Sequence, residues 1–206
     1  MKVVITGFEP FLHYTENSSW EVASQVASCG DVCGVEIVKE ILPVSFMRVG
    51  TVLRSVVERH NPELIILLGQ AAGIDYIKLE RIAINMMDAR GPDNDGYTPD
   101  EQIIDSSAPT AYITPLKIKT LCQAIARRGI EAKVSNSAGL YVCNRAYFEA
   151  LRLCNERGGT KAIFVHLPYY EGQHSVSADQ PTMSVEKMKL AIQTIIEEIN
   201  DKDRTI

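Results

Sequence analysis

The segment Leu64-Ile65-Ile66-Leu67-Leu68 contains no polar residue. Side chains on a strand alternate between two faces, so a wholly apolar strand needs cover on both sides. The run therefore reads as an interior strand of a parallel sheet. Parallel neighbours need crossover connections, usually helical, and these pack on the faces of the sheet. One short segment thus points to an α/β chain rather than a helix bundle or an antiparallel sandwich.

The rest of the chain supplies matching parts. Val3 to Thr6, Val35 to Leu42, Ile77 to Asn85, Ala132 to Ser135 and Ala162 to Leu167 read as further strands. Between them lie helical patterns. One begins near Ser18 or Ser19 and carries Val22, Ala23, Val26 and Ala27 on one face. A second is expected to be capped by Ser45 and to bury Phe46, Val49, Leu53, Val56 and Val57. A third has Thr114 as N-cap, Pro115 at the first helical position and Gly129 past its end. A fourth follows Cys143 with Ala146, Tyr147, Ala150 and Leu151 inward and stops at Gly158. The last runs from Ser184 and buries Met188, Ile192, Ile195, Ile196 and Ile199. The expected architecture is a three-layer α/β/α sandwich around a twisted, mostly parallel sheet. With 206 residues, it forms one domain spanning 1–206.

Composition narrows the function. A net charge of -5 argues against nucleic acid as a partner. No apolar run is long enough to span a membrane, and the N-terminus lacks the features of a signal peptide. Five dispersed cysteines suit a reducing compartment and a cytoplasmic location rather than a disulfide framework. Cys29 and Cys33 are spaced like half of a metal site, but no second pair completes it, so no metal is expected there.

Ligands of open α/β sheets bind beyond the carboxyl ends of the strands. That draws attention to Gly7-Phe8, Gly69-Gln70, Ser137-Ala138-Gly139 and His166. Cys143 follows the small-residue stretch and opens a helix. It reads either as a buried, inert thiol or as a nucleophile whose ionisation the helix N-terminus favours. His166, at a strand end, is either a core histidine or a general base. Glu80 is either a solvated edge-strand charge or the carboxylate that orients that base. His60 suits a helix C-terminal cap, while His13 and His174 lie in loops without an evident partner. Asp88 and Asp93 are alternative acids in turn-prone sequence. The irregular stretch from Asp88 to Pro109 is long for a compact domain, which favours a functional loop.

Several separate motifs then fall in one order: Gly7-Phe8-Glu9-Pro10-Phe11, Gly69-Gln70-Ala71, Glu80-Arg81-Ile82-Ala83-Ile84-Asn85, Asp88-Ala89-Arg90 and Pro92-Asp93-Asn94-Asp95-Gly96. Ser137 to Asn144 and Phe164 to Tyr169 complete the series. In this the chain resembles the pyroglutamyl-peptidase I family of cysteine peptidases over nearly its whole length. The resemblance implies Cys143 as nucleophile, His166 as general acid and base, and Glu80 as its holder. It also implies an oxyanion site from Arg90 and the Cys143 amide, and a pyroglutamyl pocket from Phe8, Phe11, Gln70 and Asn17. The implied partners are pyroglutamyl peptides as substrate and further copies of the chain in a homo-oligomer, often a tetramer. The chain departs from the family pattern at Leu12-His13, where glycines are usual, at Ser18, and at Ile74. Another hydrolase or a phosphorylase on a similar α/β scaffold, and a non-catalytic binder of pyroglutamyl peptides, are the alternatives. No Gly-x-Gly-x-x-Gly or P-loop signature supports a phosphate site.

Overall fold

The structure, a computed structural model, describes residues 1–28 and 34–203. Cys29 and Cys33 lie outside the described residues. The chain alternates strand and helix: β1 (Lys2–Phe8), α1 (Ser18–Ser28), β2 (Glu36–Leu42), α2 (Val49–His60), β3 (Leu64–Gln70), β4 (Ile77–Glu80) and β5 (Ile82–Ile84). It continues through β6 (Ala111–Ile113), α3 (Ile118–Arg127), β7 (Ala132–Ser135), α4 (Val142–Arg157), β8 (Lys161–Leu167), β9 (Tyr169–Tyr170), β10 (Thr182–Met183) and α5 (Val185–Asp203). The central sheet has the order β2-β1-β3-β8-β4-β7.

The apolar run of β3 behaves as its pattern requires. Leu64, Ile66 and Leu68 enter one core with α1, α3 and α5, while Ile65 and Leu67 enter the other with α2 and α4. All five are fully buried, each contributing about 1.5–3 kcal/mol relative to exposure. Helices therefore cover both faces, and the expected three layers are present.

Four strands, β2, β1, β3 and β8, run parallel, whereas β4 pairs antiparallel with β8 and parallel with β7. This reversal matters for Glu80. It is not an edge-strand charge: β4 lies between β8 and β7, and Glu80 is fully buried. The pattern from Ile77 to Asn85 does not form one strand. The chain leaves the sheet at Arg81, and β5 pairs with β6 in a separate two-stranded sheet.

Two helix starts also differ from expectation. The second begins at Val49 with Arg48 at the N-cap, and Ser45 instead closes the preceding turn, its Oγ accepting from the Arg48 amide at 3.2 Å. The third begins at Ile118 with Lys117 at the N-cap. Thr114 is buried and donates its hydroxyl to the Ala162 carbonyl at 2.6 Å, which ties the chain to β8 rather than starting a helix. His60 does not cap its helix. Asn61 does so in the left-handed conformation, and His60 Nε2 lies 2.7 Å from Glu40 Oε1.

The long stretch after β5 is folded back. Met87 and Gln102 form an antiparallel bridge. Asp93 accepts from the amides of Phe46, Asp95 and Tyr97, so this buried carboxylate organises a turn and joins it to the start of α2. Asp88 Oδ1 accepts a long bond from the Glu101 amide, another local role.

Candidate active site

The β1 and β3 strands are adjacent, and the chain crosses from β1 to β2 on one side and to β3 on the other. Such a switch point leaves a crevice at the carboxyl ends of the strands. Phe8 ends β1 there and Gln70 ends β3. The crevice is open to solvent and is lined by Phe8, Phe11, Asn17, Gln70 and Cys143, with Val44, Tyr141 and Val142 completing its walls.

Register brings the catalytic candidates to one face. Gly69 pairs with His166 across β3 and β8, and Lys78 pairs with His166 across β4 and β8. Paired residues point to the same face. Glu80 lies one alternation further along β4, opposite Phe164, so its carboxylate reaches the imidazole diagonally: His166 Nδ1 is 2.8 Å from Glu80 Oε1. Lys78 Nζ shares the same oxygen at 3.3 Å. Glu80 Oε2 is buried without a hydrogen-bond partner. With the carboxylate ionised, Nδ1 carries the proton and Nε2 is free to accept one.

Gly69 is what lets the thiol approach the sheet. A Cβ at that position would stand 2.7 Å from the Phe164 ring and 3.2 Å from Cys143 Sγ. Gly69→Ala is therefore expected to displace Cys143 and lower kcat about 10²-fold, the scale of an ångström-level misplacement. Steady-state kinetics and a melting curve separate that effect from unfolding. Unchanged kcat would show that the sulfur position is not limiting.

Cys143 is in the first turn of α4, whose N-cap Tyr141 makes no side-chain capping bond. The first intrahelical acceptance from this end is Arg145 N to Tyr141 O. The Cys143 amide is thus one of the donors at a helix start that have no intrahelical acceptor. The helix start favours ionisation of the thiol, and its surroundings oppose it. Burial, followed by the charge of Glu80, pushes Cys143 from 9.0 up to about 12; its own backbone N–H and Lys78 act the other way. The helix terminus acts only within its first turn, whereas desolvation reflects everything packed around the sulfur.

The structure does not treat the remaining candidates equally. Phe8 is buried against Phe164, with ring centroids 6.3 Å apart, and Phe11 packs beside Tyr141 at 6.4 Å. Gln70 presents a buried, unpartnered Nε2. Its Oε1 accepts from the Ser18 amide and from Gln173. Asn17 reaches the cavity, but its Oδ1 caps α1 by accepting from Ser19 N and Oγ, while Nδ2 donates to the Glu9 carbonyl. Arg90 is exposed and is not among the lining residues. Sequence reasoning missed Asn144. Buried beside Cys143, it donates to the Ile84 and Met86 carbonyls and accepts from the Ile84 amide, anchoring the segment after β4 to α4. Its place next to Cys143 in a motif was the only available signal. Val44, Tyr141 and Val142 carried no chemical signature at all.

A buried carboxylate–histidine pair, a cysteine on a helix start and an apolar crevice together have the composition of a thiol hydrolase site. Comparison with known proteins places it: the pyroglutamyl peptidase family model matches residues 1–202, and the chain belongs to that family. It is 42% identical over 197 residues to the pyrrolidone-carboxylate peptidase of Thermococcus onnurineus, covering 95% of this chain and 97% of that one. The corresponding protein of Thermococcus kodakarensis is 38% identical over 204 residues, covering 97% and 98%. Among solved structures, pyroglutamyl peptidase I of Bacillus amyloliquefaciens superposes with a TM-score of 0.88 at 34% identity, covering 94% of this chain and 93% of its own. A variant pyrrolidone carboxyl peptidase from P. furiosus superposes with a TM-score of 0.91 at 34% identity, covering 98% and 99%. These matches support the peptidase reading over a phosphorylase or a non-catalytic binder.

Proposed function

We propose that the chain is a cysteine peptidase that hydrolyses the bond after an N-terminal pyroglutamyl residue, with Cys143 as nucleophile, His166 as general base and acid, and Glu80 orienting His166. The observation that carries the assignment is spatial. Cys143 lines a cavity walled by Phe8 and Phe11, with its sulfur over Gly69, the register partner of His166.

The substrate end follows from chemistry. Pyroglutamate is a neutral, nearly flat lactam, and its terminus offers no ammonium to an acidic anchor. An apolar crevice with a few polar groups suits it. Phe8 and Phe11 supply ring faces, and Gln70 Nε2 is a donor available to a lactam carbonyl. Asn17 shapes the pocket through the β1–α1 loop.

In the reaction, His166 Nε2 takes the thiol proton as Cys143 Sγ attacks the pyroglutamyl carbonyl. The Cys143 amide donates to the developing oxyanion, a contribution typically worth about 10²–10³ in rate. Arg90 belongs to the same proposal as a second donor: Asp88, two residues before it, donates its amide to the Leu140 carbonyl, close to the start of α4. The imidazolium then protonates the leaving amine as the C–N bond breaks. Water, deprotonated by His166, opens the thioester, releasing pyroglutamate and restoring the thiol. These residues complete the cycle with no cofactor.

We also assign residues 1–206 to a single pyrrolidone-carboxylate peptidase domain, supported by two cores that share one sheet. A cytoplasmic location and assembly into a homo-oligomer, a tetramer by resemblance, belong to the same proposal. Free Cys122, Cys143 and Cys154 support a reducing compartment. Among the described residues, no helix is long and apolar enough to cross a membrane.

The test combines an assay with labelling. A chromogenic pyroglutamyl amide should be cleaved and a prolyl amide should not. Iodoacetamide should inactivate in proportion to labelling of Cys143. Because burial raises its pKa, labelling of the free enzyme should keep accelerating as pH rises beyond 8.5. A rate already level below pH 7 would establish a resting thiolate–imidazolium pair instead. Inactivation without modification of Cys143 would remove it as nucleophile.

A further inference from the structure

The loop between β1 and α1 carries Phe11, yet its backbone is not relaxed. Leu12 has φ 56°, a left-handed conformation that a glycine adopts freely and a leucine does not. Such conformations persist where the surroundings over-determine them. The surroundings here are the residues that follow His166. Tyr14 and Tyr169 share a hydroxyl–hydroxyl bond of 2.6 Å, with ring centroids 5.6 Å apart. Glu16 accepts from the Tyr170 hydroxyl at 2.6 Å and from the His174 amide at 3.0 Å. The Tyr170 hydroxyl, followed by that amide, holds the Glu16 carboxyl below its ordinary range, so the acceptor stays charged. Tyr14 in turn packs on Phe11, with centroids 5.8 Å apart.

We propose that Tyr14 is a positioning residue that, through Tyr169, holds Phe11 against the pyroglutamyl pocket and so sets substrate affinity. The proposal rests on the pyroglutamyl reading of the site. Tyr14 does not line the cavity and touches none of the reacting groups described above. It acts on the wall that the ring must meet. Holding that wall before substrate arrives removes an ordering cost from binding and leaves the chemical step alone. The Tyr14–Tyr169 ring contact and the hydrogen bonds above tie the strained loop to one segment. That segment starts three residues beyond the catalytic histidine, so pocket wall and imidazole share one mounting.

Steady-state kinetics on Tyr14→Phe, Tyr169→Phe and the double variant test this. Both single changes keep the ring and remove one partner of the hydroxyl pair. Each should raise KM for a pyroglutamyl amide about 2- to 10-fold, the range of one neutral hydrogen bond, with kcat within about twofold. The double variant should match the singles, since both remove the same bond. Backbone amides of residues 11–16 should exchange faster in each. An unchanged KM in Tyr14→Phe, independent additive effects, or a fall in kcat at constant KM would overturn the proposal. Tyr169 is buried; if its variant does not fold, Tyr14→Phe with the exchange measurement decides. Wild-type protein without turnover would overturn the proposed function and this inference together, whereas wild-type turnover with an unmoved KM overturns this one alone.

Discussion

Cys143→Ala is expected to lower kcat for a pyroglutamyl amide by at least ~10⁴-fold while leaving the melting curve nearly in place. Removing a nucleophile takes away the covalent route, and partners that act as a unit cannot compensate. The structural cost is small. The lost sulfur is about the size of a methylene, worth ~0.8 kcal/mol when buried, and Cys143 keeps an opening onto the cavity. Substrate should still bind, because Phe8, Phe11 and Gln70 remain. The measurement is therefore a pair: turnover of the chromogenic amide, and protection of the variant against thermal unfolding by a pyroglutamyl peptide. Turnover near the wild-type rate would eliminate Cys143 from the chemistry. Loss of both turnover and protection would point to a collapsed pocket instead.

The second large effect is expected from Glu80→Gln, with kcat lower by about 10²–10⁴-fold at a KM that hardly moves. The side chain keeps its shape but loses its charge. A carboxylate accepts from His166 Nδ1 and leaves Nε2 free for the thiol proton, whereas an amide can donate to Nδ1 and select the opposite tautomer. The thiol needs that base more than an exposed one would, because burial holds Cys143 at about 12. Lys78 loses its partner on the same oxygen, yet its side chain is 29% exposed and can turn to water. The fold should survive. Comparison of kcat and KM with circular dichroism checks this, and an unchanged kcat would mean that some other group orients His166.

The sequence by itself determined the parts that depend on local pattern. An uninterrupted apolar run can be satisfied only between two layers, so Leu64 to Leu68 established the interior strand and, with it, the three-layer architecture. Gly158 ends α4 because its φ of 65° is open to glycine, and Cys143 could be placed at a helix start from the small residues before it. The order of the motifs identified Glu80 and His166 as partners, but not how they meet. That depends on β4 running against β8, which brings together residues 86 apart in the chain. No local periodicity reports strand direction.

The same limit explains the corrections. Ser45 and Thr114 have the chemistry of helix caps, but nearby turns and the Ala162 carbonyl claim their hydroxyls. Asn17, placed near the pocket by resemblance, does line the crevice, and its side chain also caps α1, which no local pattern reports. Cys143 opens a helix whose terminus favours its ionisation. Only the tertiary structure decided that the sulfur would also be pressed onto the sheet at Gly69 and next to a buried carboxylate. Desolvation depends on everything packed around an atom, whereas a helix terminus acts over a single turn, so only the terminus was legible in the sequence.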